Sequence, residues 1–354
     1  AIQTQITLNP HETAQIAYIT LVASSRKEAQ KLAGRYRHWK HVCDAFKDTT
    51  SQSMNDKTET LDELFREMDQ GIRLPTSVAI YPKLSDLDTP PPLERPSNLL
   101  FNNGLGGFTS DGREYVIYLE PDQWSPVPLV NVIATSKFGC LVTEVGLGCT
   151  WAINSGRNRL TPWRNDPVGN LPSEAIYLRD EETTQVWSPT PLPACDTSPY
   201  LIRHGIGYSV FEHRSHELEQ HLRLFAAPDA PVKIVQLKLQ NTASRSRRIT
   251  VTYYAEWVLG TTHEDMAQYI VPEFAPNNHQ GSLLAHNPYN LDFSQRVAFL
   301  AASQENLHGV TSDRAEFLGF QEVTPTQLHW SALAWRPVSI SAWTPAQPSR
   351  STLI

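Results

Sequence analysis

The chain has no run of about 18 apolar residues, so no segment reads as a membrane-spanning helix. Its four cysteines, Cys43, Cys140, Cys149 and Cys195, form no CxxC pair, and no histidine cluster falls at zinc spacing. Reduced structural thiols are expected, with no metal and no cofactor. Basic charge is not in excess: 30 Lys and Arg stand against 37 Asp and Glu, a net charge of −7. That argues against nucleic-acid binding and reads as ordinary solubility. The opening stretch AIQTQITLNPHETAQIAY lacks a basic segment followed by an apolar one, so it does not read as a signal peptide. It also lacks a starting Met and begins directly in strand-like alternation. The chain is expected to be a piece of something longer.

What is present is mostly β. With 354 residues and 40% hydrophobic composition the chain can bury a sizeable core. Residues 2–22 alternate as strand, turn and strand. Ser25 then opens a helix through the capping box SRKE, with Glu28 expected to return a hydrogen bond to the cap. Leu32, Tyr36, Trp39 and Val42/Cys43 continue at helical spacing. A second short helix is expected from Thr60 to Gln70, with Thr60 and Glu63 as its box and Gly71 as its stop. Residues 72–98 carry Pro75, Pro82, Pro90, Pro91, Pro92 and Pro96, a density that suits a linker. From 99 to 305 the segments REYVIYL, GCLVTEV, EAIYLR, GYSVFEH, HELEQHLRLF, VKIVQLKLQ and RRITVTYYAEWV are strand-length and rich in Val, Ile, Tyr and Phe. Gly, Asn, Asp and Pro separate them. The pattern predicts antiparallel sheets packed face to face.

Five motifs occur in order: NGLGGF at 103–108, DGREYVI at 111–117, NRLTPWRNDP at 158–167, YLRDEETTQVWSPTP at 177–191 and GYSVFEH at 207–213. Together they resemble the β-sandwich, or supersandwich, domain of glycoside hydrolase family 94, once called glycosyltransferase family 36, in the form found in cyclic β-1,2-glucan synthases. The resemblance covers roughly residues 98–320. It implies a mainly β fold, a large two-sheet antiparallel β-sandwich similar to galactose mutarotase, here with a short N-terminal strand pair and a helical linker. Residues 1–24 resemble the terminal strands of a preceding sandwich, 25–71 a helical linker, 72–98 a Pro-rich linker, 99–320 the sandwich itself, and 321–354 a divergent tail. At 342–351 the tail reads AWTPAQPSRS, and one codon choice for it, shifted by two bases, encodes Leu-Asp-Pro-Cys-Ala-Ala-Leu-Gln-Val, similar to the family's continuation. A frameshift near 320–335 is therefore one expectation, and simple divergence is the other.

The resemblance implies inverting phosphorolysis or glycosyl transfer at a β-glucosidic bond. The groups that do this chemistry belong to an (α/α)6 barrel that matches nothing here, so no catalytic residue is assigned and the chain alone is expected to be inactive. Implied partners are a β-glucan oligosaccharide or polysaccharide and the helical barrel of a parent enzyme. The implied location is cytoplasmic, beside an inner membrane. A sandwich face left without its barrel would expose apolar surface, so self-association is expected.

The stretch from Trp151 to Asp166 is the ligand candidate. Trp151 and Trp163 offer flat faces to the C–H side of a pyranose. Asn154, Arg157, Asn158, Arg159, Asn165 and Asp166 offer hydrogen bonds to hydroxyls. The other reading of these residues is a polar network that pins a long loop against the sheet or the barrel. Glu212, His213 and Glu256 are acid–base candidates of the mutarotase kind. Neighbours on a strand point to opposite faces, which argues against a joint Glu212–His213 site. For Glu256 the simpler reading is a hydrogen-bonded carboxylate at a strand end. NGLGGF reads as a sharp turn rather than a phosphate loop. Asp180, Glu181 and Glu182 read as a solvated hairpin turn. Stand-alone sugar binding and mutarotase-like activity remain the alternatives to a supporting role in a glucan synthase.

Overall fold

The computed structural model describes residues 1–53, 93–166, 168–277, 280–304 and 307–318. The helix expected at 60–70, most of the Pro-rich linker and the tail at 321–354 lie outside the described residues.

The N-terminal part forms β1 (Ile2–Leu8) and β2 (Thr13–Ala23), then helices α1 (Arg26–Arg37) and α2 (Trp39–Ser53). The sandwich continues with β3 (Gly106–Phe108), β4 (Glu114–Leu119), β5 (Val130–Ala134), β6 (Phe138–Thr143), β7 (Gly146–Ala152), β8 (Glu174–Asp180) and β9 (Val186–Trp187). Next come β10 (Tyr200–Gly205), β11 (Tyr208–Ser215), β12 (Leu218–Ala226), β13 (Val232–Asn241) and β14 (Arg247–Ala255). A helical turn α3 (His263–Met266) precedes β15 (Val271–Asn277), β16 (Gln280–His286), β17 (Val297–Ala302), β18 (Gly309–Val310) and a last helix α4 (Arg314–Leu318).

Two large antiparallel sheets result. The order in one is β18-β1-β14-β8-β7-β6-β5, with β9 paired to β8. The other has the order β15-β16-β17-β2-β13-β12-β11-β10-β4-β3. Inward-facing Ile, Leu, Val, Phe and Tyr from both sheets form one core, including Ile2, Phe138, Ile176, Phe211, Leu237, Val251 and Leu300. This is the face-to-face packing that alternation predicts.

The first strands are not appended to this sandwich. β1 lies between β14 and β18, and β2 lies between β13 and β17. Residues 1–24 therefore pair within the same two sheets as residues 106–310 instead of closing a separate, preceding sandwich. In β2, Ile16 to Ala23 are all buried, as befits an interior strand covered on both faces.

The helices cover part of the ten-stranded sheet. Ala29, Ala33, Tyr36, Val42, Ala45 and Phe46 pack on Ile19, Leu21, Phe225, Ile234 and Phe299. Ser25 caps α1 by accepting from the Glu28 amide at 3.3 Å, as the sequence predicts. The Glu28 carboxylate reaches the Ser24 amide at 2.8 Å, one residue before the cap.

A buried ion pair ties the sheets together. Lys233 on β13 donates to Glu174 on β8, and to Thr150 at 2.7 Å. Tyr253 also donates to Glu174. Burial opposes ionisation of Glu174, but Lys233 and the hydrogen bonds from Thr150 and Tyr253 prevail and hold its carboxyl below the usual range.

Candidate functional site

The outer face of the eight-stranded sheet, over β5, β6 and β7, carries the ligand candidates. Phe138, Cys140, Thr150 and Ala152 point inward, so Gly139 and Trp151 between them point outward. They are direct cross-strand partners. The Trp151 ring lies over Gly139, and a Cβ at that position would run into it. A flat indole on the sheet is thus permitted by one glycine, with one ring face already covered.

The loop after β7 is held by its own polar side chains. The Asn154 carboxamide oxygen accepts from the Gly156 and Arg157 amides, each at 2.9 Å. Asn158 is buried and donates to the Ala152 carbonyl at 3.0 Å. Arg159 donates to the carbonyls of Ser155 and Thr261 at 2.8 and 3.1 Å. Its guanidinium lies 5.7 Å from the Trp163 ring centroid. Thr161 accepts from the Thr150 amide at 2.9 Å and donates to Glu174 at 3.0 Å, which joins the loop to the buried ion pair. Arg157 reaches Asp292 at 3.4 Å on an exposed rim.

This anchoring presents the next segment over a cleft of about 260 Å³. Its lining mixes apolar Pro128, Val130, Leu141, Pro162 and Trp163 with polar Arg164, Asn165, Asp166, Asn170 and Thr143. The strand register shifts between Cys140 and Val142, and both Gly148 and Cys149 line the cleft. Burial pushes the Cys149 thiol up to about 11, so it is no nucleophile at neutral pH. Trp163 is 47% exposed. Arg164 is fixed from behind: its Nη2 lies 2.6 Å from Glu256 Oε2, and His263 Nε2 lies 3.1 Å from Glu256 Oε1.

Of the eight residues singled out by sequence, the structure brings Trp163, Asn165 and Asp166 to the cleft, while Asn158 is buried beneath the loop. Trp151 lies apart from the cleft lining, on the same sheet face. Asn154 and Arg159 hold the loop, and Arg157 pairs with Asp292.

The family model described as "Glycosyl hydrolase 94, supersandwich domain" matches residues 113–327. The chain belongs to this family. It is 39% identical over 223 residues to the cyclic beta-(1,2)-glucan synthase NdvB of Rhizobium meliloti (strain 1021), a match covering 63% of this chain and 8% of that protein. It is 29% identical over 225 residues to the N,N'-diacetylchitobiose phosphorylase of Vibrio furnissii, covering 62% and 25%. It is 26% identical over 227 residues to the solabiose phosphorylase of Paenibacillus borealis, covering 61% and 28%. The chain thus spans a minor part of the length of each of these relatives.

Other candidates in this supersandwich separate cleanly. Glu212 pairs with Arg203 at 2.8 Å. Its neighbour His213 is buried on the opposite face, between the Pro199 carbonyl and Asp196. Glu256 is the hydrogen-bonded strand-end carboxylate, engaged by Arg164 and His263. NGLGGF is a sharp turn: Gly104 has φ +94°, and the Asn103 side chain accepts from the Leu105 and Gly106 amides at 3.0 Å. The acidic run at 180–182 departs from expectation. Asp180 is buried and pairs with Arg247, Glu181 accepts from Thr250 at 2.6 Å, and Glu182 pairs with Arg248 at 2.9 Å. Basic partners on β14 turn what reads as a solvated turn into a set of ion pairs.

Arg164, Asn170 and Thr143 are the polar side chains of the cleft that the sequence does not single out. Arg164 sits within the motif NRLTPWRNDP, between two residues that were named. The signal was there in the alternation of Trp163, Arg164 and Asn165, but Arg157 and Arg159 carry the same residue type.

Proposed function

We propose that this sandwich is a carbohydrate-contacting part of an enzyme that makes or breaks β-glucosidic bonds, and that the cleft beside Trp163 holds a glucan segment. The observation that carries the reading is Trp163, a half-exposed indole that shares the lining of one cleft with the donors and acceptors of Arg164, Asn165, Asp166 and Asn170. A sugar ring offers the matching surfaces, C–H groups on one side and hydroxyls around the edge. The bond chemistry is assigned to another part of the polypeptide on the family resemblance; Glu256, the buried carboxylate behind Arg164, is taken by Arg164 and His263 and does not line the cleft. β-1,2-Linked glucan is the proposed ligand, by likeness to the NdvB relative. Among the described residues no helix is long and apolar enough to cross a membrane. A cytoplasmic place rests on the resemblance alone.

The test is calorimetric titration with linear β-1,2-linked gluco-oligosaccharides. Binding without turnover is expected, and Trp163→Ala should weaken it by at least about tenfold, the loss of one stacking face in a polar cleft. Unchanged affinity in that variant would remove Trp163 and the cleft from the reading.

A second reading has its own observation. Tyr289, Leu291 and Val168 are 69%, 97% and 94% exposed. Tyr289 sits on a loop fixed by Asn287 and Asn290, which donate to the Leu259 carbonyl at 3.2 and 3.1 Å. Rigid, exposed apolar side chains suit a packing contact with a further domain such as the helical barrel.

A further inference from the structure

We infer that the cleft selects an uncharged saccharide and turns away its phosphorylated counterpart. The inference rests on the reading that the cleft holds sugar, and concerns which sugar.

Arg164 is the one cationic side chain in the cleft lining among the described residues. An unmatched guanidinium there would make the cleft an anion site, because its planar fork fits phosphate oxygens. It is matched, however. Glu256, which is 7% exposed, holds Nη2 at 2.6 Å, and His263 steadies the other carboxylate oxygen at 3.1 Å. Asp166 adds a carboxylate to the lining itself. The next cation, Arg159, lies over the Trp163 ring and spends its donors on the Ser155 and Thr261 carbonyls. It does not line the cleft. A phosphate group entering here meets no uncompensated positive charge and faces the exposed Asp166 carboxylate, while Glu256 holds Arg164 from outside the lining.

Neutral hydroxyls meet the opposite situation. Arg164 donates to Glu256 through Nη2, and further N–H groups of the fork remain to donate to a ligand. Asn165 and Asn170 add amide donors and acceptors. The Asp166 Oδ1 atom accepts from the Val168 amide, which leaves the carboxylate able to accept from a hydroxyl as well. Adjacent hydroxyls of a pyranose donate to a carboxylate and accept from a guanidinium in the same plane. Glu256 therefore acts as a specificity-determining residue through Arg164: it orients the fork for hydroxyls and cancels the charge that would attract phosphate.

The experiment is competition against a bound β-1,2-linked gluco-oligosaccharide on the full chain, using glucose and glucose 1-phosphate. Glucose should displace the oligosaccharide at a concentration at least about tenfold below that needed for glucose 1-phosphate, the scale of a like-charge mismatch in a partly buried site. In Glu256→Gln the gap should close or reverse, because Arg164 loses its counter-charge. Asp166→Asn keeps the side-chain acceptor for the Val168 amide, so the loop retains its turn, and it should narrow the gap independently. Equal competition by the two sugars in the unaltered chain would overturn the inference while leaving the sugar site standing. An unchanged gap in both variants would overturn it too. Failure of any oligosaccharide to bind would instead remove the sugar site, and this inference with it.

Discussion

Asp196 lies within hydrogen-bond reach of two imidazoles. His213 Nε2 and His216 Nε2 lie 3.1 and 3.3 Å from its Oδ2, and each ring is stacked, His213 on Tyr200 at 3.8 Å and His216 on Trp187 at 4.1 Å. Burial opposes ionisation of the carboxyl, yet hydrogen bonds from both histidines and from Ser215 hold it well below the usual carboxylate range. The folded carboxyl is thus deprotonated at pH values where an unfolded Asp, near about 3.9, takes a proton. Its contribution to stability is fully present above that value and is lost progressively as pH falls from there toward the folded carboxyl's own, lower pKa. Asp196→Asn should destabilise the fold by about 2 kcal/mol at pH 7, the scale of hydrogen bonds to a charged group. Denaturant midpoints should show the difference from the unaltered chain shrinking below about pH 4. Residue partnerships of this kind were not legible in the sequence. Asp196 lies 17 and 20 positions from its histidines, and Asp180 meets Arg247 from 67 positions away. Short-range features were legible: the Ser25 cap and the Asn103 turn use neighbours within three residues.

At the scale of elements, strands were readable and their partners were not. The alternation in residues 2–22 marks β1 and β2 as two strands, but they join different sheets instead of pairing with each other, because a strand does not encode which edge it joins. The one helix expected from Ser25 onward is two, because His38 leaves helical geometry at φ −77° and ψ 118°. That break lets α2 turn Phe46 into the sheet, edge-on to Tyr208 and Phe225 and beneath the Arg223 guanidinium at 3.5 Å. The family match begins at residue 113, yet β1 and β2 occupy interior positions in both sheets. A chain starting at residue 93 would leave β13 and β17 without the strand between them, and β14 and β18 likewise. It should fail to give a cooperative unfolding transition by circular dichroism, whereas the chain with residues 1–53 retained should melt as one unit. A cooperative melt from the shortened chain would show that β1 and β2 are dispensable.

On the scale of the molecule, the sandwich ends in a firm surface with apolar tips. Tyr269 and Tyr289 lie 4.7 Å apart near Leu291, and Arg157 bridges from the neighbouring loop to Asp292. If this end meets another domain, the isolated chain offers the same surface to its own copies. Light scattering over a range of tens of micromolar should show mass rising with concentration, and Leu291→Glu together with Tyr289→Asp should return it to a monomer. A monomer at all concentrations before substitution would mean the tips contact nothing of their own kind.

The placing of β2 has a further consequence, in time rather than space. Its register sets Ile19 against Ile234 on one side and Ala301 on the other. While the chain is being synthesised, an eleven-residue apolar strand emerges with neither neighbour yet made, at about 5–20 residues per second. For many seconds this segment has unpaired edges and, on the face turned away from α1 and α2, nothing to bury it. Pairing across such separations is slow once the partners do arrive. The protein's dependence on chaperones should therefore track β2, and a polar substitution on that strand should change the yield of soluble protein before it changes anything at the cleft.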